Sequence, residues 1–81
     1  MKLPSDLNGV ELARRLQRLG YAVTRQSGSH MRLTRQGPHG QQHITIPAHK
    51  PLRVGTLRQI LKDVASQCLI ELSDLLAQLE G

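Results

Sequence analysis

The sequence predicts an α+β fold of order α-β-β-β-α. A three-stranded antiparallel sheet carries helices on one face, and a helical C-terminal tail follows. Three observations carry this reading. Apolar residues recur at helical spacing near the N-terminus and again beyond residue 54; between these stretches the period falls to two; and residues 66–81 hold leucines at helical spacing. Two helices over one face of a small sheet make a standard two-layer solution.

The first helix is predicted over about 9–19, from "NGVELARRLQRLG". Asn8 is a candidate N-cap, with Glu11 three residues on as in a capping box. Leu12, Leu16 and Leu19 form one stripe, Arg14, Arg15 and Arg18 point away from it, and Gly20 suits a left-handed C-cap. The strands are "YAVTRQ" (21–26), "HMRLTR" (30–35) and "HITIP" (43–47), the last ended by Pro47. "SGS" (27–29) reads as a hairpin turn with Gly28 able to take positive φ, and "QGPHGQQ" (36–42) as a polar loop. Short connections make the three strands a meander. Leu57, Ile60, Leu61 and Val64 then restore the helical period, with Gly55 or Thr56 near the cap. In the tail, Leu69, Leu72, Leu76 and Leu79 make a stripe with Leu75 beside it. This segment either continues the second helix or restarts at Ser73. The chain reads as a single domain, 1–81, with a core over about 9–65 and a Leu-rich tail over 66–81.

Composition narrows the function. Tyr21 is the sole aromatic, so the core is built from Leu, Val and Ile, and readers of RNA that stack bases on sheet aromatics are disfavoured. The lone cysteine, Cys68, excludes an intramolecular disulfide and suits a reducing, cytoplasmic setting. The N-terminus has no apolar signal region, and no apolar run approaches the ~20 residues of a membrane span. Charge is the sharper clue. Residues 1–65 hold all eleven Lys and Arg against three acids, a net of +8, whereas 66–81 hold three acids and no Lys or Arg. A basic body of this kind points to a polyanion, most often nucleic acid. The element order is also that of a double-stranded-RNA-binding domain, which reads shape and phosphates.

Four segments, "GVELARRLQRLGY", "RQSGSHMRL", "TIPAH" and "LRVGTLRQILK", together resemble the HicA toxin family of small bacterial ribonucleases. The similarity runs from Gly9 to about Val64, and its strongest pieces are "GSH" and "PAHKPLRVGTLRQILK". The resemblance implies a fold like the double-stranded-RNA-binding domain, cleavage of mRNA, and an active-site histidine at His30. It also implies a cognate HicB-type antitoxin that covers this face. The chain departs from the pattern in carrying extra residues before the first helix and in lacking a Gly-Leu/Ile-Ser turn after Asp63.

RNA can be cut without a metal when a base takes the 2′-hydroxyl proton, and histidine suits that task because its ordinary pKa is near neutral. By strand alternation Arg32 shares the face of His30, while Met31 and Leu33 take the core face. Arg25, Gly28 and Ser29 lie around the first hairpin turn, though turn serines usually bond local backbone. Gly55 and Thr56 sit at a helix N-terminus, where free N–H groups attract phosphate, and Lys50, Arg53 and Arg58 surround them. These residues form the expected RNA-binding set. His49 is either a second acid/base group, protonating the leaving 5′-oxygen, or a brace for the loop before the second helix. His39 and His43 flank the Gly-rich loop, but the histidine spacings match no ligand pattern and no Cys or paired carboxylate joins them, so no metal or cofactor is expected. Arg14, Arg15 and Arg18 either extend the RNA surface or form a solvated face. The Leu stripe of the tail is read as internal packing, a homo-oligomer seam or a docking surface for the antitoxin. The main reading is a metal-independent mRNA endoribonuclease toxin. The alternatives are a non-catalytic RNA-binding module of the same fold and a protein-interaction domain.

Overall fold

The computed structural model describes residues 7–48 and 52–80. The chain forms helix α1 (Gly9–Leu16) and a 3₁₀ turn (Gln17–Leu19). Strands β1 (Ala22–Ser27), β2 (His30–Gly37) and β3 (Gly40–Pro47) follow, then helices α2 (Val54–Cys68) and α3 (Leu72–Leu79). The strands pair antiparallel in the order β1-β2-β3. This is the α+β architecture expected, an open three-stranded sheet with its helices on one side.

Local chemistry explains the element ends. The Asn8 side chain accepts the Glu11 N–H at 2.8 Å, as an N-cap should. The return half of the capping box is absent, because the Glu11 carboxylate instead receives Arg14 and Arg15. Those bonds hold it below the usual carboxylate range. Gly20, at φ 93°, supplies the left-handed residue that ends the 3₁₀ turn. The expected loop over 36–42 is corrected. The ladder runs on through Gln36↔Gln41 to Gly37↔Gly40, so only Pro38 and His39 turn the chain. Polar residues take the exposed ends of a ladder readily, since the pairing satisfies their backbone groups.

α2 ends in a Schellman arrangement, with Ile70 N–H on the Ala65 carbonyl and Leu69 N–H on that of Ser66. Leu69 takes the left-handed position at φ 57°, a conformation that costs a non-glycine residue about 1–2 kcal/mol. The chain then restarts as α3 with Glu71 at the N-cap, so Ser73 lies in the first turn rather than at the cap.

The buried apolar cluster joins Leu12 and Leu16 of α1 to Met31 and Leu33 of β2 and to Ile44 and Ile46 of β3. Ile60, Leu61 and Val64 of α2 complete it with Leu75 and Leu79 of α3. The tail is therefore packed into the core. Arg15 and Arg18 secure it: Arg15 donates to the Leu79 carbonyl at 2.9 Å, and Arg18 to those of Gln78 and Glu80 at 3.2 and 2.8 Å. These are the orphan carbonyls of a helix end, where a cation also complements the dipole. Tyr21 is buried, and its hydroxyl donates to Gln67 Oε1 at 2.6 Å. Burial, aided by the nearby Cys68 thiol, pushes that hydroxyl well above the usual tyrosine range.

Gly9 meets the end of β3. A β-carbon there would overlap the carbonyl oxygen of Pro47 and lie 2.9 Å from its carbonyl carbon. Both are backbone atoms, so relief requires moving the helix or the strand. Gly9→Ala is expected to cost about 1–3 kcal/mol, the usual penalty for overpacking, read as a lower melting temperature. Because Pro47 pairs with His30, the same variant should also perturb the amide signals around His30.

Candidate functional site

The face of the sheet away from the helices is open. His30, Arg32 and Gln36 of β2 and Gln41, His43 and Thr45 of β3 are exposed on it, and Thr34 is half-buried among them. Met31, Leu33, Ile44 and Ile46 alternate with them and are buried on the other side. His30 begins β2, directly opposite Ser27 of β1 and Pro47 of β3. Its imidazole makes no hydrogen bond within the described residues. The turn beside it is Gly28-Ser29, with Gly28 at φ 59° where a side chain would be strained. The Ala48 N–H closes onto the Ser29 carbonyl at 2.6 Å, tying the turn to the chain leaving β3. His30 thus projects from a braced corner.

Arg25 reaches this face through an irregularity. Before it, Val23 pairs with Leu33; after it, Arg25 pairs with Arg32, and Thr24 is the extra residue. Simple alternation would keep Arg25 on the side of Val23. The bulge re-aims it to the side of His30. Arg25 and Arg32 therefore stand directly opposite each other, a like-charge pairing that destabilises a sheet. Neither makes an ion pair with any described residue. Two adjacent, unpaired guanidinium groups beside an exposed imidazole form a setting made for an anion.

Thr24, Arg25, Arg32, Thr34, Gln41 and His43 line a shallow depression of about 370 Å³ on the same face. Thr24, Thr34, Gln41 and His43 were absent from the site expected on sequence. The signal that could have found them is the alternation already applied to Arg32, carried two residues further to Thr34 and across to its partner His43.

The remaining expected residues divide. Arg53 occupies the N-cap position of α2, without a side-chain capping bond, and Gly55 and Thr56 fall in its first turn. α2 belongs to the helical layer, so these residues do not line the depression. Arg58 borders a separate apolar crevice of about 210 Å³ with Val54, Leu57, Leu61, Leu72 and Leu76. His49 and Lys50 lie outside the described residues. The arginines of α1 and of the 3₁₀ turn after it are engaged, Arg14 with Glu11, and Arg15 and Arg18 with the end of α3. No three metal-ligating side chains converge among the described residues, and none of the described helices is long and apolar enough to cross a membrane.

Comparison with known proteins agrees with this architecture. A family model described as the HicA toxin of bacterial toxin–antitoxin systems matches residues 9–65. Neither a curated protein nor a solved structure gives a match. The matched stretch spans α1, the whole sheet and most of α2, and it includes His30, Arg25 and Arg32. The chain belongs to the HicA toxin family of bacterial toxin–antitoxin systems.

Proposed function

We propose that this toxin is an endoribonuclease that cuts mRNA in the cytoplasm without a metal, with His30 as its acid/base group. The observation that carries the reading is the open corner where His30 stands beside the unpaired Arg25 and Arg32. His30 takes the proton of a 2′-hydroxyl. The 2′-oxygen then bonds to the adjacent phosphorus, and the bond from phosphorus to the 5′-oxygen breaks. The leaving oxygen collects a proton from water or from a second group, the role open to His49. The two arginines offset the charge gathering on the phosphoryl oxygens, an electrostatic contribution made before the reaction begins. Gly28 and Ser29 shape the turn that presents His30. Lys50, Arg53, Gly55, Thr56 and Arg58 are the further candidates for holding the strand beyond the sheet. A HicB-type antitoxin would silence the enzyme by covering the open face.

The test is incubation of the purified protein with RNA in EDTA, followed by analysis of the new ends. The mechanism requires a 2′,3′-cyclic phosphate on one fragment and a free 5′-hydroxyl on the other. Cleavage that needs added divalent metal, or that leaves a 3′-hydroxyl, would overturn it. RNA binding that weakens with salt, without any cutting, would instead describe a binding module of the same fold.

A further inference from the structure

We infer that His43 is a second anchor for the RNA strand, gripping a phosphate some distance along from the one that His30 attacks. The inference rests on the proposed role of His30 but uses different residues. His43 and His30 share the open face, since His43 pairs with Thr34, four residues along β2 from His30. At about 3.3 Å per residue the two imidazoles are set roughly 13 Å apart along the strands. Arg32 and Arg25 lie between them, so one continuous basic track joins the two histidines.

The orientation of His43 is built rather than incidental. Thr24 Oγ1 lies 2.8 Å from Thr34 Oγ1, and Thr34 Oγ1 lies 3.0 Å from His43 Nδ1. Thr24 has only a longer alternative, the Arg32 carbonyl at 3.4 Å. Both short contacts are compatible with either donor direction, and together they hold the imidazole in one orientation. With Nδ1 engaged by Thr34, Nε2 is the ring nitrogen that has no partner among the described residues. The chain of three side chains thus fixes the ring's orientation and leaves Nε2 free on the face that carries Arg25 and Arg32, where in its N–H form it donates to an anion. A polar chain joining all three strands on an otherwise solvated face has no core to support. Its geometry suits a phosphodiester oxygen, and the Gln41 amide beside it offers hydrogen bonds to a base edge. The depression is shallow and open to solvent, so the chemistry favours a flexible single strand over a compact ligand.

The test uses the whole protein and a single-stranded, uniformly 2′-O-methylated oligonucleotide, which no 2′-hydroxyl mechanism can cut. A charge-assisted hydrogen bond to phosphate corresponds to roughly 10–100-fold in affinity. His43→Ala should weaken binding by that factor, and Thr34→Val by a smaller one, through loss of the ring's orientation. His39→Ala, at the nearby turn, should leave binding unchanged. With cleavable RNA, His43→Ala should raise KM while leaving kcat nearly as it was, and His43→Gln, which keeps a donor, should recover part of the loss. Equal oligonucleotide affinity for wild type, His43→Ala and Thr34→Val would overturn the inference while leaving the role of His30 to its own test. A fall in kcat with unchanged KM would also overturn it, since it would place His43 in the chemistry rather than in strand binding.

Discussion

Replacing His30 with alanine is expected to reduce RNA cleavage by about 10²–10⁴-fold, the usual contribution of general acid–base help. The fold should not notice. His30 is exposed, hydrogen-bonds to no described residue and sits on the face away from the core, so the stability change should stay within about 0.5 kcal/mol. RNA affinity should also fall little, because Arg25 and Arg32 remain. This combination separates chemistry from binding. The measurement is a single-turnover cleavage rate beside a melting curve and a binding isotherm for the same variant. Retained cleavage would show that another group moves the proton, and His49 would be the next residue to replace. A loss of binding equal to the loss of rate would make His30 a contact residue rather than a catalytic one.

The site was half legible in the sequence, and the reason lies in the geometry of strands. β2 alternates cleanly, so the shared face of His30 and Arg32, opposite Met31 and Leu33, followed from parity alone. β1 does not. Its six residues are all exposed, and the bulge at Thr24 reverses parity halfway along. No apolar residue at Gln26 or Ser27 marks the change, so nothing in the string shows that Arg25 leaves the side of Val23. The polar stretch 36–42 was opaque for a related reason. Glycine, proline and glutamine describe a loop by composition, yet they extend a ladder whose exposed end needs no apolar side chains. Arg14, Arg15 and Arg18 left two readings open in the sequence, an RNA surface or a solvated face. Neither reading shows that the partner of Arg15 is a carbonyl 64 residues away. Helix caps within a turn are visible in sequence, as Asn8 shows, but caps supplied across the fold are not.

The tail should prove indispensable, although the family match ends at residue 65. Leu75 and Leu79 are both 0% exposed, as deeply buried as Leu12 and Leu33. Removing a buried leucine side chain costs about 2–5 kcal/mol when the site cannot collapse. A domain of this length has only about 4–12 kcal/mol in total at ordinary stability per residue. Leu75→Ala with Leu79→Ala should therefore consume most of the margin. Each kcal/mol lowers the melting temperature of so small a domain by roughly 4–8 °C, so a fall of at least about 15 °C is expected. A chain stopped after Ile70 should fare worse. It loses both leucines and the carbonyls that Arg15 and Arg18 cap, leaving the half-buried Arg15 to find water instead. The check is thermal unfolding by circular dichroism of the shortened chain against the full one. Similar melting curves would mean that the matched segment folds by itself and that α3 is an appendage. The exposed leucines sharpen the contrast: Leu69, 80% exposed, contributes nothing to the core, so Leu69→Ala should leave the melting temperature close to that of the parent. A tail held only by general greasiness would respond alike to both kinds of leucine, whereas one seated in the core distinguishes them.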